Sequence, residues 1–81
     1  MQHLDWQRLD DLRGNPQYRA TNGPLVARTL ITVEDEHRCM VLDGSDESFP
    51  IVHDQFHGTL AAAQTDAALF MEGWNRLHTT R

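Results

Sequence analysis

The sequence predicts an α+β fold: a short N-terminal helix, an antiparallel meander of three to four strands, and a long C-terminal helix packed on one sheet face. A helical repeat of apolar residues runs from Thr59 to His78. Ahead of it, short alternating segments are separated by turn residues such as Asn22-Gly23, which favours neighbouring strands joined by hairpins. At 81 residues, the chain is expected to form a single domain, residues 1–81.

The N-terminal helix is predicted over Trp6 to Arg13. Asp5 is a suitable N-cap, and Leu4 and Leu9 are spaced to form a hydrophobic staple across it. Gly14 then supplies the left-handed residue that commonly follows a helix. Two helical turns are not stable alone, so this segment is expected to dock on the rest of the protein.

Four segments have the composition of strands, and turn residues separate them. They are Gln17 to Thr21, Leu25 to Glu34, His37 to Asp43, and Phe49 to His53. The second alternates strictly, and the third is rich in apolar residues and is predicted to be central. Pro24 and Pro50 each mark an edge or the first residue of a strand.

The C-terminal helix has two distinct faces. Its apolar stripe, about 100° wide, is predicted to pack on the sheet and comprises Leu60, Ala63, Ala67, Phe70, Met71 and Trp74. On the opposite side lie Leu69, Glu72 and Arg76, which are predicted to be free for a partner. Thr59 is a suitable N-cap for this helix.

Composition narrows the classes of function. The formal net charge is −5, which argues against direct nucleic-acid binding and favours a protein partner with a basic surface. The single cysteine, Cys39, excludes an internal disulfide, and its apolar neighbours predict a buried, inert thiol. The absence of a long apolar run predicts no membrane association and a cytoplasmic location, or a host-cell cytoplasm if a phage encodes the chain.

One histidine pair could carry chemistry. His53 and His57 stand four residues apart with Asp54 between them, a spacing that on a helix would place both imidazoles on one face. Pro50 and Gly58 bracket this segment, which favours a strand that runs into a loop, from which the histidines would diverge. The pair is therefore predicted not to bind a metal. A small metal-dependent or enzymatic domain that uses these three residues is the alternative.

Acidic residues concentrate in two predicted turns. Glu34, Asp35 and Glu36 lie in one turn, and Asp43, Asp46 and Glu47 lie in the next. Successive turns of a meander lie at opposite ends of the sheet, about 20 Å apart for a strand of seven residues. The two groups are therefore predicted to form separate acidic tips.

These observations predict a small acidic, non-catalytic module that binds a protein partner. No GxSxG, GxxxxGK[ST] or GxGxxG pattern is present, so neither an enzyme nor a cofactor is expected. The predicted contact surfaces are the two acidic turns and the outer helix face around Leu69. An alternative is a homodimer formed through an exposed strand edge or the Leu69 face.

In size, charge and lack of catalytic motifs, the chain resembles the small inhibitors that phages and mobile elements carry, such as anti-CRISPR proteins. Such inhibitors often block basic nucleic-acid-binding surfaces. The resemblance is one of type, and it implies an inhibitor of a nucleic-acid-binding protein or complex.

Overall fold

The computed structural model describes residues 4–79, which form a five-stranded antiparallel sheet followed by one helix. The elements are β1 (Gln7–Asp10), β2 (Pro16–Asn22), β3 (Leu25–Ile31), β4 (His37–Asp43), β5 (Ile51–His57) and α1 (Leu60–Thr79). The strands lie in the sheet in their sequence order, so each pairs with its neighbours in the chain. The predicted α+β class, antiparallel meander and C-terminal helix are confirmed.

The predicted N-terminal helix is wrong, because β1 and a tight turn occupy its place. Strand β1 pairs antiparallel with β2 and makes the sheet five-stranded. In the turn, Asp11 Oδ1 accepts hydrogen bonds from the backbone N–H groups of Arg13 (2.8 Å) and Asn15 (2.9 Å). Gly14 has a φ of 81°. The residues that suggested a helix end therefore reverse the chain in a hairpin.

Strand β4 has the predicted bounds, but β5 extends further than predicted. Each residue that β5 adds toward its C-terminal end pairs with β4, and the last pair joins His37 to His57. A β-bulge at Val41 and Leu42 interrupts the register near the start of β5. The loop before β5 includes Phe49, whose φ is 48°. Pairing with β4 therefore determines the length of β5, which local composition does not reveal.

Helix α1 packs on one face of the sheet and covers β3, β4 and β5. The fully buried core is formed by small and medium side chains from these elements: Leu25, Ala27, Cys39, Val41, Ala63, Ala67 and Met71. Phe70 and Trp74 pack against this core and remain partly exposed. The alanines bring the helix close to the sheet, so the predicted apolar stripe of the helix is confirmed at its centre.

Side chains satisfy backbone groups at both ends of the helix, and the N-terminal end matches its sequence signal. Thr59 Oγ1 accepts a hydrogen bond from the backbone N–H of Ala62 at 3.1 Å, as an N-cap residue does. Near the other end, His78 Nδ1 donates to the Trp74 carbonyl oxygen at 2.8 Å. The His78 ring also stacks on Trp74, with 4.1 Å between the ring centroids.

The second face of the sheet lies opposite helix α1, and we call it the open face. Its side chains alternate with the buried ones along β2 to β5 and come into rows through the strand register. The open face comprises Gln17, Arg19, Thr21, Val26, Arg28, Leu30, Arg38, Met40, Leu42, Ile51, Asp54 and Phe56. Ile51 and Phe56 are each 51% exposed.

Candidate functional site

The first predicted acidic turn lies between β3 and β4. Glu34, Asp35 and Glu36 are all exposed there. Thr32 Oγ1 accepts hydrogen bonds from the backbone N–H groups of Glu34 and Glu36, both at 3.2 Å. Asp35 has a φ of 60°. The Thr32 hydroxyl therefore shapes the turn, and the three acidic side chains project from it.

The second acidic turn lies between β4 and β5, at the other end of β4. Asp43 Oδ1 accepts hydrogen bonds from the backbone N–H and hydroxyl of Ser45, at 3.0 and 2.6 Å. Asp46 binds Ser48 in the same way, at 2.9 Å for both bonds, and these bonds hold the pKa of the Asp46 carboxyl below its ordinary value. Two carboxylates of this loop therefore stabilise its backbone conformation, while Glu47 is exposed.

The third predicted surface is the outer face of α1. Leu69 is 55% exposed, and Arg76 forms an ion pair with Glu72 at 3.0 Å. A pair of this kind at the surface contributes only about 0.3–0.5 kcal/mol. The helical spacing places the three residues on the side of the helix opposite the buried Ala63, Ala67 and Met71.

The two histidines converge, contrary to the prediction that they diverge. Because β5 continues through His57, residues four apart on this strand point to the same sheet face, toward the helix. Asp66 of α1 lies between them. His53 Nε2 is 3.0 Å from both carboxylate oxygens of Asp66, and His57 Nε2 is 2.7 Å from Oδ2. A helix residue therefore joins the pair.

Asp54, the carboxylate predicted to act with the histidines, lies on the other side of the sheet. Arg38 holds it in a two-point contact, with Nε 2.9 Å from Oδ1 and Nη2 2.7 Å from Oδ2. The hydrogen bond from Arg38 lowers the pKa of the Asp54 carboxyl. The structure therefore does not bring Asp54 together with His53 and His57, and Asp66 is the carboxylate that lies beside the two histidines.

Cys39 lies beneath the helix, beside this cluster. Its Sγ, a ring nitrogen of His53 and a carboxylate oxygen of Asp66 lie within 4.8 Å of one another. Burial, together with the charges of Asp66 and Asp54, raises the pKa of the Cys39 thiol to about 12. A thiol with this pKa is protonated at neutral pH and is a poor nucleophile. The predicted burial of Cys39 is confirmed.

Asp66 is the electrostatic centre of the cluster. Burial raises the pKa of the Asp66 carboxyl, but hydrogen bonds from His57 and His53 outweigh burial and hold that pKa below its ordinary value. The side chain of Asp66 is 24% exposed, and those of His53 and His57 are 19% and 27% exposed. The charged carboxylate is thus stabilised by its two histidines in a partly solvated position.

An aromatic row fixes the position of His53. Its imidazole stacks on Phe70, with ring centroids 4.3 Å apart and planes 17° from parallel. Phe70 in turn packs against Trp74 with a centroid distance of 5.9 Å. One feature of the sequence could have indicated that Asp66 contacts the sheet: it lies one helical turn before Phe70 and next to Ala67, both residues of the predicted apolar stripe. That feature identifies a polar contact at the helix–sheet boundary without naming its partners.

The fold and the cluster together define the class: an antiparallel five-stranded meander with one helix on one face and a cysteine–histidine–aspartate cluster beneath that helix. Comparison with known proteins finds no matching family model, and neither curated proteins nor solved structures show a significant similarity to the chain. Within residues 4–79, no helix has the length and apolarity needed to span a membrane.

Acid should weaken the link between α1 and β5. Because the folded-state pKa of Asp66 lies below the ordinary aspartate value of 3.8, the carboxylate's contribution to stability is present above that value. This contribution is lost as the pH falls through the folded-state pKa. We expect Asp66→Asn to lose less stability than the wild type between about pH 5 and pH 2. Urea unfolding at both pH values measures this, with the exposed-loop variant Glu47→Gln as control. Equal losses in wild type and Asp66→Asn would contradict the role of Asp66.

Proposed function

We propose that the protein is a non-catalytic protein-binding module whose partner docks on the open face of the sheet. The observation that carries this proposal is the one-sided placement of helix α1, which packs on the face that bears the buried core. The opposite face presents apolar side chains and arginines together. This combination is typical of the centre of protein interfaces.

The apolar residues of the open face are neighbours in the strand register. Val26 pairs with Leu42, and Leu42 pairs with Ile51, so one row crosses three strands. A second row brings Leu30, Arg38 and Phe56 together. Single exposed apolar residues need no explanation, but contiguous ones mark interaction surfaces. The half-exposed Ile51 and Phe56 lie on the same strand, and they are the expected anchors for a partner.

The charge of the open face supports an acidic rather than a basic partner surface. Arg19, Arg28 and Arg38 lie on it, with Asp54 as the one carboxylate among the open-face residues defined above. This contrasts with the net charge of −5 for the whole chain. The partner surface predicted from composition was basic, whereas this face complements an apolar patch with an acidic rim.

Two of these arginines are held in place before a partner arrives. Arg28 Nη2 donates to Gln17 Oε1 at 2.7 Å, and Arg38 is fixed by Asp54. The Arg38 guanidinium also lies 5.7 Å from the centre of the Phe56 ring. Side chains that are already ordered lose less conformational entropy on binding, so this part of the surface is prepared for a contact.

The arginines also disfavour a second copy as the occupant of this face. Two open faces packed against each other would bring their arginines together, and like charges in an interface are repulsive. A partner of different sequence with carboxylates around an apolar centre avoids this repulsion. Dimerisation through a strand edge stays a prediction, as does the narrower role of an inhibitor of a nucleic-acid-binding protein.

Site-specific crosslinking tests the proposal directly. A photoreactive phenylalanine analogue in place of Phe56 should crosslink one protein in an extract of the source cells, whereas the same analogue at Leu69 should not. Arg19→Glu should reduce the product from position 56, because the charge that attracts an acidic rim is reversed. Circular dichroism confirms that each variant is folded.

Other crosslinking patterns would contradict the proposal. Products from position 69 but not 56 would place the interface on the outer helix face. A product that consists of two copies of this chain would favour self-association, and a nucleic-acid adduct would exclude a protein partner. With the partner identified, Phe56→Ala should weaken binding by about 10–30-fold, or roughly 1.4–2 kcal/mol, while Leu69→Ala should leave it unchanged.

A further inference from the structure

We propose that Cys39, His53 and Asp66 are the ligands of a site for a zinc-class divalent metal ion beneath helix α1. The three potential ligand atoms are the thiol sulfur, a ring nitrogen and a carboxylate oxygen, and they lie within 4.8 Å of one another. The site is on the helix side of the sheet, opposite the open face. The proposed metal site therefore does not depend on the proposed docking surface.

The distances suit a tetrahedral ion. Zinc lies about 2.3 Å from a cysteine sulfur and about 2.0–2.1 Å from a histidine nitrogen, so ligand atoms in a tetrahedral site are roughly 3.3–3.6 Å apart. His53 Nε2 and Asp66 Oδ1 are 3.0 Å apart. The upper bound of 4.8 Å for the set exceeds the ideal range by about 1 Å, which side-chain rotations can close.

Three different elements deliver these ligands. Cys39 comes from the middle of β4, His53 from β5 and Asp66 from α1. Both strand residues face the helix: Cys39 pairs with Gln55 and His53 pairs with Val41 in the same stretch of ladder. Phe70 stacks on the His53 imidazole and limits its rotation. An ion at this position would therefore tie the helix to the two strands beneath it.

The sulfur ligand of the proposed site is shielded from solvent, while the nitrogen and oxygen ligands are partly accessible. Cys39 is fully buried, while the side chains of His53 and Asp66 keep 19% and 24% of their exposure. An ion could therefore reach the nitrogen and oxygen ligands from solvent, with the sulfur below them. A site of three protein ligands leaves one tetrahedral position for water.

His57 acts as a positioning residue for Asp66. Its Nε2 is 2.7 Å from Asp66 Oδ2, so it can donate to that oxygen while Oδ1 faces the ion. Ligating carboxylates in metal sites are themselves usually hydrogen-bonded, and loss of such a partner typically weakens metal affinity by about 10–100-fold. His57 therefore orients the carboxylate without needing to contact the ion.

The ligand types select the ion. Cys39, protonated in the free protein, would release its proton to solvent as the ion binds. Thiolate and imidazole favour zinc and similar transition metals, whereas magnesium and calcium prefer sites made of oxygen atoms alone. The rival explanation is that His53, His57 and Asp66 form only a polar bridge between strand and helix. The sulfur separates the two explanations, because a polar bridge has no role for Cys39 beyond filling space.

Cobalt(II) is the probe that reports on the sulfur. In a titration of the reduced, chelator-free chain, we expect one equivalent to bind with a near-ultraviolet thiolate-to-cobalt charge-transfer band, which zinc then abolishes. Cys39→Ala should remove the band, and Asp66→Asn should weaken binding by at least ~100-fold. His57→Gln should keep the band but weaken binding by about 10–100-fold.

Asp54→Asn is the matched control, because it removes the neighbouring carboxylate on the opposite sheet face and should leave cobalt binding unchanged. Circular dichroism establishes that each variant is folded, and Cys39→Ala tests the proposal even if Asp66→Asn proves unstable. No binding at one equivalent by the wild type would overturn the proposal. So would binding without a thiolate band, or a spectrum unchanged in Cys39→Ala, since either would show adventitious histidine binding.

Discussion

Met71→Ala is expected to lower the free energy of unfolding by about 2–5 kcal/mol, the usual range for removing a large buried side chain. The total stability of an 81-residue domain is roughly 4–12 kcal/mol. A loss of this size would therefore remove a large share of the stability of the domain. The expectation follows from the position of Met71, which is 0% exposed and belongs to the core between the helix and the sheet.

The cost at Met71 is expected to be high because several core residues around it have little freedom to fill the cavity. The adjacent buried helix residues are Ala63 and Ala67, which have no rotatable side chains. Leu25 and Val41 are held by the strand ladder. Limited relaxation leaves a larger residual cavity, and the cost rises with that cavity's volume.

Leu77→Ala is the matched control for Met71→Ala. Leu77 lies on the same helix but is 79% exposed, so its truncation should change stability by less than about 0.5 kcal/mol. Urea unfolding followed by far-ultraviolet circular dichroism gives both values. Equal denaturation midpoints for the two variants would show that the helix packs through a different face.

The helical stripe could be predicted because helix periodicity is a local property. Residues spaced by three and four along the chain share a face whatever they pack against, and the structure buries Ala63, Ala67 and Met71 as the pattern indicates. The bounds of β4 and a hairpin close to Asn22-Gly23 could likewise be predicted from neighbouring residues, although the two-residue loop consists of Gly23 and Pro24 because Asn22 pairs with Leu25. Gly23 is the first residue of this loop and has the positive φ, 60°, that a two-residue hairpin with glycine in the first position needs.

Strand β1 could not be predicted because its signals are ambiguous locally. Aspartate is common both at the start of a helix and in a tight turn, and a glycine such as Gly14 is common both after a helix and in a hairpin turn. The choice depends on pairing with β2, which lies beyond the turn. A helix of two turns contributes little stability by itself, so the pairing prevails.

The candidate sites depended on contacts that span the chain. Asp66 reaches His53 and His57 only because α1 lies over β5 in one particular register. The arginines of the open face come together for the same reason, since they belong to three different strands. The histidine pair could be identified from the sequence, but the prediction that the two side chains diverge was wrong. The length of β5, which brings them to one face, is determined by pairing with β4.

Gly44→Ala is expected to destabilise the protein by about 1–3 kcal/mol, the usual cost of forcing an extra carbon into a packed position. A Cβ atom at Gly44 would lie 2.7 Å from the carbonyl oxygen of Pro24 and 3.3 Å from Cε1 of Phe49. The same Pro24 oxygen accepts a hydrogen bond from the Gly44 N–H at 2.7 Å. Because the close neighbour is backbone at the start of β3, it cannot move aside without disturbing the strand.

Gly73→Ala makes the same chemical change with the opposite expected sign. Apart from its chain neighbours and the adjoining backbone of its own helix, a Cβ at Gly73 would meet no atom of the described residues within 4 Å, and the residue lies inside α1. Alanine in a helix interior is more stable than glycine by roughly 0.5–1 kcal/mol, so the denaturation midpoint should rise. If both variants were destabilised, the penalty at Gly44 could not be assigned to its contact with Pro24. If Gly44→Ala were neutral, the loop would have to accept a shift that its hydrogen bond to Pro24 opposes.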